Sequence, residues 1–348
     1  MTESQRPVVA LLAAPETSAS VLYGLYDVLL SVGSVFGDMT TGQPGEALLD
    51  VRIVADGLDP FRCVGGVLVE PHADINDGSS VDVAIVCDMF TPIDIAPRGR
   101  YPREVHWLAR VHGAGAMVAS VCTGSLMLAE AGLLDGREAA CHWAYRDLFR
   151  EHYPRVRMTE DSILNLASEA GGVVTAGGVT AWQDLALYFI ARLCGPTEAI
   201  RTAKVFLLAG HEDGQRPFAA MTRPSQTRDA VIGQCQGWIE KNYGVANPVA
   251  AMIDQSGLTP RTFGRRFRAA TGYLPIEYVH AVRIEEARTI LESGSAPTES
   301  VGYDVGYEDP TFFRRLFKRN TGMSPAAYRR KMAGIVAGPG EPGARSAV

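Results

Sequence analysis

The chain has 348 residues, 47% of them hydrophobic, and is therefore long enough to bury two ordinary domain cores. Its formal net charge of −6 at pH 7, taken alone, argues against a nucleic-acid-binding protein. The six cysteines form no CxxC pair and have no metal-ligand spacing with histidine, so we expect reduced, mostly buried thiols in a cytoplasmic protein. We expect neither a metal ion nor a cofactor.

The charge is divided unevenly along the chain. Residues 1–225 carry 17 Lys and Arg against 27 Asp and Glu, a net charge of −10. Residues 226–348 carry 16 against 12, a net charge of +4. An acidic module joined to a basic one favours nucleic-acid contact by the second module.

Short β-branched runs alternate with helical stretches over roughly the first 195 residues, as in parallel α/β sheets. The first apolar run follows Arg6 and could be a secretion signal, but it is short and leads directly into Pro15, which favours a first strand. No run approaches the ~20 apolar residues that span a bilayer, so we predict no membrane contact. The predicted strands are Val8–Ala14, Asp50–Ala55, Val81–Cys87, Ala116–Val121 and Val173–Ala176. The predicted helices are Ala19–Val32, Pro102–His112, Thr123–Ala131, Trp143–His152, Ala181–Leu193 and Thr197–Ala209.

The composition of the sequence becomes polar near residue 222. We predict an α/β domain over 1–221, with an inserted hairpin at Thr159–Ser168, and a polar linker over 222–229. Helices dominate the second domain, 230–332. Residues 333–348 are rich in Gly, Pro and Ala and are predicted to be a flexible tail.

A short motif occurs twice in the helical domain, at 259–275 and again 50 residues later at 309–325. Phe263 and Phe267 correspond to Phe313 and Phe317, and the four-residue spacing puts each pair on one buried helix face. Each copy begins with an N-cap residue followed by proline and ends with a glycine suited to a C-terminal cap. The pattern predicts two short helices, each with an apolar face and a cationic face.

Each copy is preceded by a predicted helix and a glycine-containing turn, which is the helix-turn-helix plan. These preceding helices are Pro248–Gln255 and Pro297–Val305. The segment Ile276–Glu292 lies between the two units and is long enough to form one rigid helix of ~25 Å. Such a connector would let both reading helices enter adjacent major-groove segments, about one turn or ~34 Å apart.

The solvent-facing residues of the two reading helices divide into two groups. Those at i, i+4 spacing are predicted to read base edges: Arg261, Arg265, Thr311 and Arg315. The other cations are predicted to contact phosphates: Arg266, Arg268, Arg314, Lys318 and Arg319. A single basic helix face is more often merely solvated, but two copies in register argue against that interpretation.

Residues 230–332 resemble the paired helix-turn-helix domain of the AraC/XylS family of bacterial transcription regulators. The segment 306–318, followed by Gly322, Pro325 and Tyr328, is close to that family's signature. The resemblance implies sequence-specific binding to double-stranded promoter DNA and activation through RNA polymerase.

The acidic module contains Cys122 between a predicted strand and a predicted helix, which is the arrangement of a nucleophile elbow. A helix N-terminus lowers the pKa of a thiol, and His142 follows as a possible base. Together with segments 129–137 and 175–181, this region is similar to the class I glutamine amidotransferase-like (PfpI-like) superfamily. More narrowly, it resembles GlxA-type regulators, which implies a flavodoxin-like α/β sensor domain ahead of the all-α tandem helix-turn-helix domain.

The sequence departs from the catalytic members of that superfamily. Thr123 stands where its cysteine hydrolases carry histidine, and Asp88 stands where they use glycine to form an oxyanion pocket. Glu16 could pair with Cys122, but its flanking residues match weakly. The departures favour a non-catalytic effector pocket formed by Cys122, Thr123, His142 and Asp88. The alternative for Cys122 is a buried small residue at a tight turn, and for His142 a satisfied, partly buried histidine.

The sequence therefore predicts a cytoplasmic, homodimeric transcription regulator controlled by a small-molecule metabolite. Two alternatives remain open. One is a bifunctional regulator that turns over an amide, isonitrile or aldehyde substrate at Cys122, with His142 and Glu16 as partners. The other is an architectural DNA-binding protein without an effector.

Overall fold

The computed structural model describes residues 6–93, 97–159, 163–167, 172–208, 215–218, 227, 229–293 and 297–336. The chain forms two compact units, Met1–Gln215 and Arg216–Val348. The predicted linker 222–229 lies almost entirely outside the described residues, so its position stays a prediction.

The first unit is a mixed α/β domain. Its described strands are β1 (Val8–Leu12), β2 (Asp50–Ala55), β3 (Phe61–Arg62), β4 (Leu68–Val69), β5 (Ala73–Asp74), β6 (Val83–Val86), β7 (Met117–Val121), β8 (Glu138–Ala140), β9 (Arg157–Thr159), β10 (Leu164–Leu166) and β11 (Val173–Ala176). Its described α-helices are α1 (Ala19–Leu30), α2 (Val35–Thr41), α3 (Pro102–Gly113), α4 (Ser125–Glu130), α5 (Arg146–His152), α6 (Trp182–Cys194) and α7 (Pro196–Phe206).

A seven-stranded sheet in the order β10-β11-β7-β6-β1-β2-β5 forms the centre of this unit. All neighbouring strands are parallel except β10 and β11, which are antiparallel. The chain order reverses between β1 and β6, as in flavodoxin-like sheets, and ligands of such sheets bind at the carboxyl ends of the strands near this point. The predicted flavodoxin-like fold class is confirmed.

Apolar residues cover both faces of the sheet, which explains why its central strands are almost purely hydrophobic. Helices α1 and α6 pack on one face with side chains such as Leu25 and Phe189. Helices α3, α4 and α5 pack on the other face with side chains such as Leu108, Leu128 and Phe149.

The five predicted strands and the helices of this unit are confirmed, with ends shifted by a few residues. Six short elements were not predicted. Five of them are strands of two or three residues, which carry no periodicity to detect: β3, β4, β5, β8 and β9. The sixth is the seven-residue helix α2. The predicted hairpin at Thr159–Ser168 is wrong: β9 pairs in parallel with β8, whereas β10 pairs with β11. Which strands pair depends on the tertiary structure, and the alternation of apolar and polar residues within one segment does not specify it.

No single described helix is long and apolar enough to cross a membrane. Helices α1 and α2 reach the necessary length and composition only as a pair, and this pair is bent by 63°. Helix α1 is packed against the sheet through residues such as Leu22 and Leu25, which are fully buried.

The second unit is helical throughout its described residues. Its helices are α8 (Ala230–Lys241), α9 (Pro248–Ser256), α10 (Pro260–Thr271), α11 (Pro275–Ser293), α12 (Thr298–Asp304), α13 (Pro310–Thr321) and α14 (Pro325–Val336). Because α14 runs to Val336, the first four residues of the predicted tail are helical, and residues 337–348 lie outside the described part.

Helix α11 is shared by two apolar cores. Its first half contributes Tyr278 and Val282 to the core of α8, α9 and α10. Its second half contributes Ala287 and Leu291 to the core of α12, α13 and α14. The motif repeat extends into these cores, since Tyr278 packs edge-on against Phe267 and Tyr328, 50 residues on, does the same against Phe317, both at 5.4 Å between ring centres.

Candidate functional sites

Helices α10 and α13 begin and end as the repeated motif predicts. The Thr259 hydroxyl accepts a hydrogen bond from the Thr262 backbone N–H at 3.4 Å, and the Asp309 carboxylate accepts one from the Thr311 N–H at 2.8 Å. Both helices end at left-handed glycines, Gly272 with φ +77° and Gly322 with φ +81°. These caps fix which residues of each helix face the core.

The two reading helices present the same faces to core and solvent. Their four motif phenylalanines are almost completely buried, at 0–1% exposure. The four predicted base-reading residues are all exposed: Arg261, Arg265, Thr311 and Arg315. The guanidinium of Arg315 lies 5.6 Å from the ring centre of Phe312, which stacks it against its own helix. Contact of these residues with bases stays a prediction.

Four of the five predicted phosphate contacts are exposed cations: Arg268, Arg314, Lys318 and Arg319. Arg266 differs, because it makes a bidentate ion pair with Asp229 at 2.7 and 2.8 Å. Asp229 also caps α8 by accepting a hydrogen bond from the Ile232 N–H. The ion pair compensates the charge of Arg266 and ties α10 to the start of α8, whereas contact of Arg266 with phosphate stays a prediction.

The predicted connector Ile276–Glu292 is confirmed as α11, whose 19 residues span about 28 Å. Arg283, only 7% exposed, lies at the middle of this helix. It donates hydrogen bonds to the carbonyl oxygens of Tyr243 at 2.7 Å and Val245 at 3.0 Å, and its guanidinium lies 5.1 Å from the ring centre of Tyr307. One buried cation thus contacts the end of α8 and the turn before α13.

At the edge of the sheet, Cys122 directly follows β7 and begins a single 3-10 turn that leads into α4. Its φ of +53° is in the left-handed region, where a residue other than glycine is strained. The side chain of Ser125 donates to the carbonyl oxygen of Cys122 at 2.8 Å and supports the turn. The predicted elbow is therefore present.

The thiol of Cys122 is buried, at 2% exposure, and lies beside the Asp88 carboxylate. Burial raises the pKa of Cys122 well above its usual value, and the negative charge of Asp88 raises it further. Asp88 accepts a hydrogen bond from the Thr123 hydroxyl at 2.7 Å, and this hydroxyl in turn accepts one from the Met89 N–H at 2.9 Å. Burial and the charge of Asp88 both disfavour the thiolate that nucleophilic catalysis needs.

His142 lies near the same carboxylate, at the end of the segment that follows β8. Burial lowers its pKa, and the charge of Asp88 opposes that shift only in part. Its Nδ1 accepts a hydrogen bond from the Ala144 backbone N–H at 3.2 Å, which fits a neutral imidazole. The structure therefore brings together all four residues of the predicted effector pocket, with Cys122, Thr123 and Asp88 buried and His142 half-buried.

Glu16 follows β1 on the far side of the point where the strand order reverses. Its carboxylate accepts a hydrogen bond from Arg100 at 2.9 Å and lies beside the hydroxyl of Tyr101, whose pKa is raised by burial first and then by Glu16. Among the described residues, the Glu16 carboxylate makes no hydrogen bond to Cys122, and its second oxygen, Oε2, is buried and accepts no hydrogen bond. The pairing of Glu16 with Cys122 stays a prediction.

Gln215 is a site residue that the sequence analysis did not single out. Its side chain is 4% exposed and donates a hydrogen bond to the carbonyl oxygen of Cys141 at 2.9 Å. It packs against Gly177, which belongs to a segment used for the superfamily resemblance. No periodicity points to Gln215, because it lies in a polar stretch after the last predicted helix of the first domain. Among the described residues, no group of His, Cys, Asp and Glu is arranged to hold a metal ion.

Both halves of the chain match known families. A helix-turn-helix domain matches residues 252–331, and the DJ-1/PfpI family matches residues 27–192. The HTH-type transcriptional regulator CdhR of Pseudomonas aeruginosa is 30% identical over 278 residues, which cover 79% of this chain and 80% of that protein. The HTH-type transcriptional regulator GlxA of Rhizobium meliloti is 25% identical over 260 residues, covering 74% and 77%.

The chain belongs to the AraC-family transcriptional regulators that carry a DJ-1/PfpI domain ahead of the helix-turn-helix domain. Both resemblances inferred from the motifs are thereby confirmed. An enzyme is also among the relatives: the isonitrile hydratase of Pseudomonas putida is 28% identical over 228 residues, covering 66% of this chain and 88% of that protein.

Proposed function

We propose that this regulator binds promoter DNA through α10 and α13 under the control of a small-molecule effector, and that its DJ-1/PfpI domain is not catalytic. The effector binds at the sheet edge formed by Asp88, Cys122, Thr123 and His142. The duplicated reading helix is the observation that carries the proposal, since its capping, buried phenylalanines and exposed cations recur at a spacing of 50 residues.

The state of Cys122 supports the non-catalytic assignment. A thiol that is buried, has a raised pKa and faces a carboxylate is a poor nucleophile, and Asp88 would oppose an anionic intermediate. His142, with its Nδ1 already hydrogen-bonded to the backbone, is only half-buried and can contact a ligand.

The remaining partners follow from this role. We propose that the regulator acts on chromosomal DNA in the cytoplasm, forms a homodimer and recruits RNA polymerase. An effector can act only by preferring one arrangement of the two units, and the predicted linker 222–229 is where such a change would take place.

Selection of genomic fragments by the purified full-length protein would test DNA reading. On the selected site, Arg265→Ala and Arg315→Ala should each weaken binding by about 5- to 150-fold, since a bidentate guanine contact contributes ~1–3 kcal/mol. Binding to a scrambled duplex should change little, and Lys204→Ala, an exposed cation of the first unit, serves as the control. Equal losses on both duplexes would assign these arginines to phosphates.

A second candidate function is catalysis at Cys122. The left-handed backbone of Cys122 and the similarity to an isonitrile hydratase favour it. Isonitrile, amide and aldehyde substrates should then be consumed by the wild-type protein and not by Cys122→Ala. If Cys122→Ala keeps DNA binding and effector response and no substrate is consumed by either protein, catalysis is excluded for these substrates.

A further inference from the structure

The side chain of Gln215 occupies a buried niche at the candidate effector site. Its Nε2 donates to the Cys141 carbonyl oxygen, whereas its Oε1 is buried and accepts no hydrogen bond from a described residue. The niche is closed by Ala140 and by the glycines that follow β11. We call this niche, formed by Ala140, Cys141, Gly177 and Gly178, the Gln215 subsite.

The fit at Gly177 is close. A β-carbon at Gly177 would lie 2.1 Å from the Nε2 atom of Gln215, so glycine at this position makes room for the amide. Gly178 has a φ of +88°, which favours glycine, and a β-carbon there would lie 3.9 Å from the Oε1 atom of Gln215. The backbone is therefore shaped around a carboxamide group.

The Gln215 subsite is continuous with the effector site. The Cys141 thiol is hydrogen-bonded to Ser125, and this bond opposes the burial that raises its pKa to about 12. Ser125 is in turn bonded to the carbonyl oxygen of Cys122 at 2.8 Å. Cys141 directly precedes His142 in the chain, so the subsite adjoins two of the residues assigned to the effector.

The chemistry of the subsite selects the group that can enter it. The Cys141 carbonyl oxygen accepts hydrogen bonds, so it favours an N–H donor and disfavours a carboxylate, which has acceptors only. The buried Oε1 accepts no hydrogen bond from the described residues, so the Gln215 side chain is bound less tightly in the subsite. A ligand that supplies an N–H donor can therefore compete with the side chain.

We propose that the Gln215 subsite binds the N–H-bearing end of the effector, a primary amide or amine, and that Gln215 fills it as an intramolecular competitor. This proposal rests on the proposed function. Gln215 is the last residue of the first unit, and the chain continues into the unit that carries the reading helices. Expelling its side chain removes the hydrogen bond that holds this boundary residue to Cys141 of the first unit, which is a way to couple occupancy to DNA affinity.

Propionamide tests the subsite, because its atoms match the glutamine side chain from the β-carbon to the carboxamide, and Gln215→Ala removes all of these except the β-carbon. Thermal shifts should give Gln215→Ala at least tenfold tighter apparent propionamide affinity than the wild type, in which Gln215 competes. Propionate should not stabilise Gln215→Ala. The control Gln255→Ala, which changes an exposed glutamine of α9, should behave as the wild type.

A second variant asks whether the niche itself binds the amide. In the Gln215→Ala background, Gly177→Ala should abolish the propionamide shift, and circular dichroism would verify that the double variant is folded. If the double variant does not fold, the propionamide shifts of the wild type and of Gln215→Ala still decide whether the subsite exists. Equal propionamide shifts in wild type and Gln215→Ala, or none in either, would overturn the subsite. If the wild-type protein does not bind DNA sequence-specifically, that result overturns the proposed function and not the subsite.

Discussion

Cys122 combines a strained backbone with a buried side chain whose pKa is raised. The strained turn exposes a nucleophile in enzymes with such an elbow, but here the thiol is enclosed and Asp88 raises its pKa further. Burial and the neighbouring carboxylate both act against the thiolate, which supports the proposal that this elbow binds a ligand without catalysis.

Alkylation measures this difference at single residues. At pH 7.5 iodoacetamide should label Cys194, which is partly exposed, well before Cys122, which is buried. Each unit by which a thiol pKa exceeds the pH lowers the reactive thiolate about tenfold. Mass spectrometry of protein that was labelled in its folded state gives the order in which the cysteines react. A denatured sample shows that all six thiols can react. Preferential labelling of Cys122 would contradict the burial and the raised pKa of its thiol.

The ion pair between Asp229 and Arg266 connects α10 to the start of α8. Arg266 holds the pKa of Asp229 below its usual value, so the pair stabilises the fold above the ordinary aspartate pKa, and this contribution is lost as the pH falls through the lowered value. Asp229→Asn should therefore lower the melting temperature at pH 5–8, while the difference from wild type narrows below about pH 4. Asparagine keeps the N-cap, so the comparison isolates the charge. A pH-independent difference would refute this assignment.

At the scale of elements, α11 acts as the spacer between two reading helices. Its two ends belong to separate apolar cores, and Arg283 at its centre contacts both the end of α8 and the turn before α13. The turn leaves little room there, since a β-carbon on Gly306, at φ +90°, would lie 2.9 Å from the Arg283 guanidinium. The relative orientation of α10 and α13 therefore depends on this contact.

Arg283→Met keeps the length of the side chain but removes its donors. The carbonyl groups of Tyr243 and Val245 lose their partner, and a buried group left unpaired costs about 1–3 kcal/mol. We expect a lower melting temperature and a larger loss of affinity for an operator with both half-sites than for one with a scrambled half-site. Fluorescence anisotropy measures both affinities, with Arg103→Met, a surface change, as the control. Equal losses would mean that Arg283 does not set the spacing.

At the scale of the whole molecule, the charge asymmetry predicts how binding responds to salt. The basic second part of the chain carries the exposed cations of α10 and α13, whereas the first part has a net charge of −10. Each phosphate contact releases counterions, so the affinity falls linearly with salt on logarithmic axes, by about 0.9 per contact.

Lys318→Ala should reduce that slope by about 1, because Lys318 is an exposed cation of α13. Lys204→Ala removes an equal charge from α7 in the first unit and should leave the slope unchanged. Titrations of the same operator at KCl concentrations from about 50 to about 200 mM resolve the difference in slope between the two variants. An unchanged slope for Lys318→Ala would remove it from the phosphate contacts.

Local patterns in the sequence determined most of the architecture. Hydrophobic periodicity, caps and the 50-residue repeat specified the reading helices, the connector α11 and five strands of the sheet, because these features depend on neighbours within a few turns of chain. The elbow at Cys122 and its proximity to Asp88 also followed from the sequence, since both residues come after strands of one parallel sheet.

Tertiary structure alone decided the pairing of the short strands, the ion pair of Arg266 with Asp229, the hydrogen bond of Arg100 to Glu16 and the burial of Gln215. Each of these depends on which groups meet across large distances in the sequence, as Gln215 and Cys141 do at positions 74 apart. A polar residue between two elements has no periodicity, so only the packed chain determines whether it meets solvent or a site.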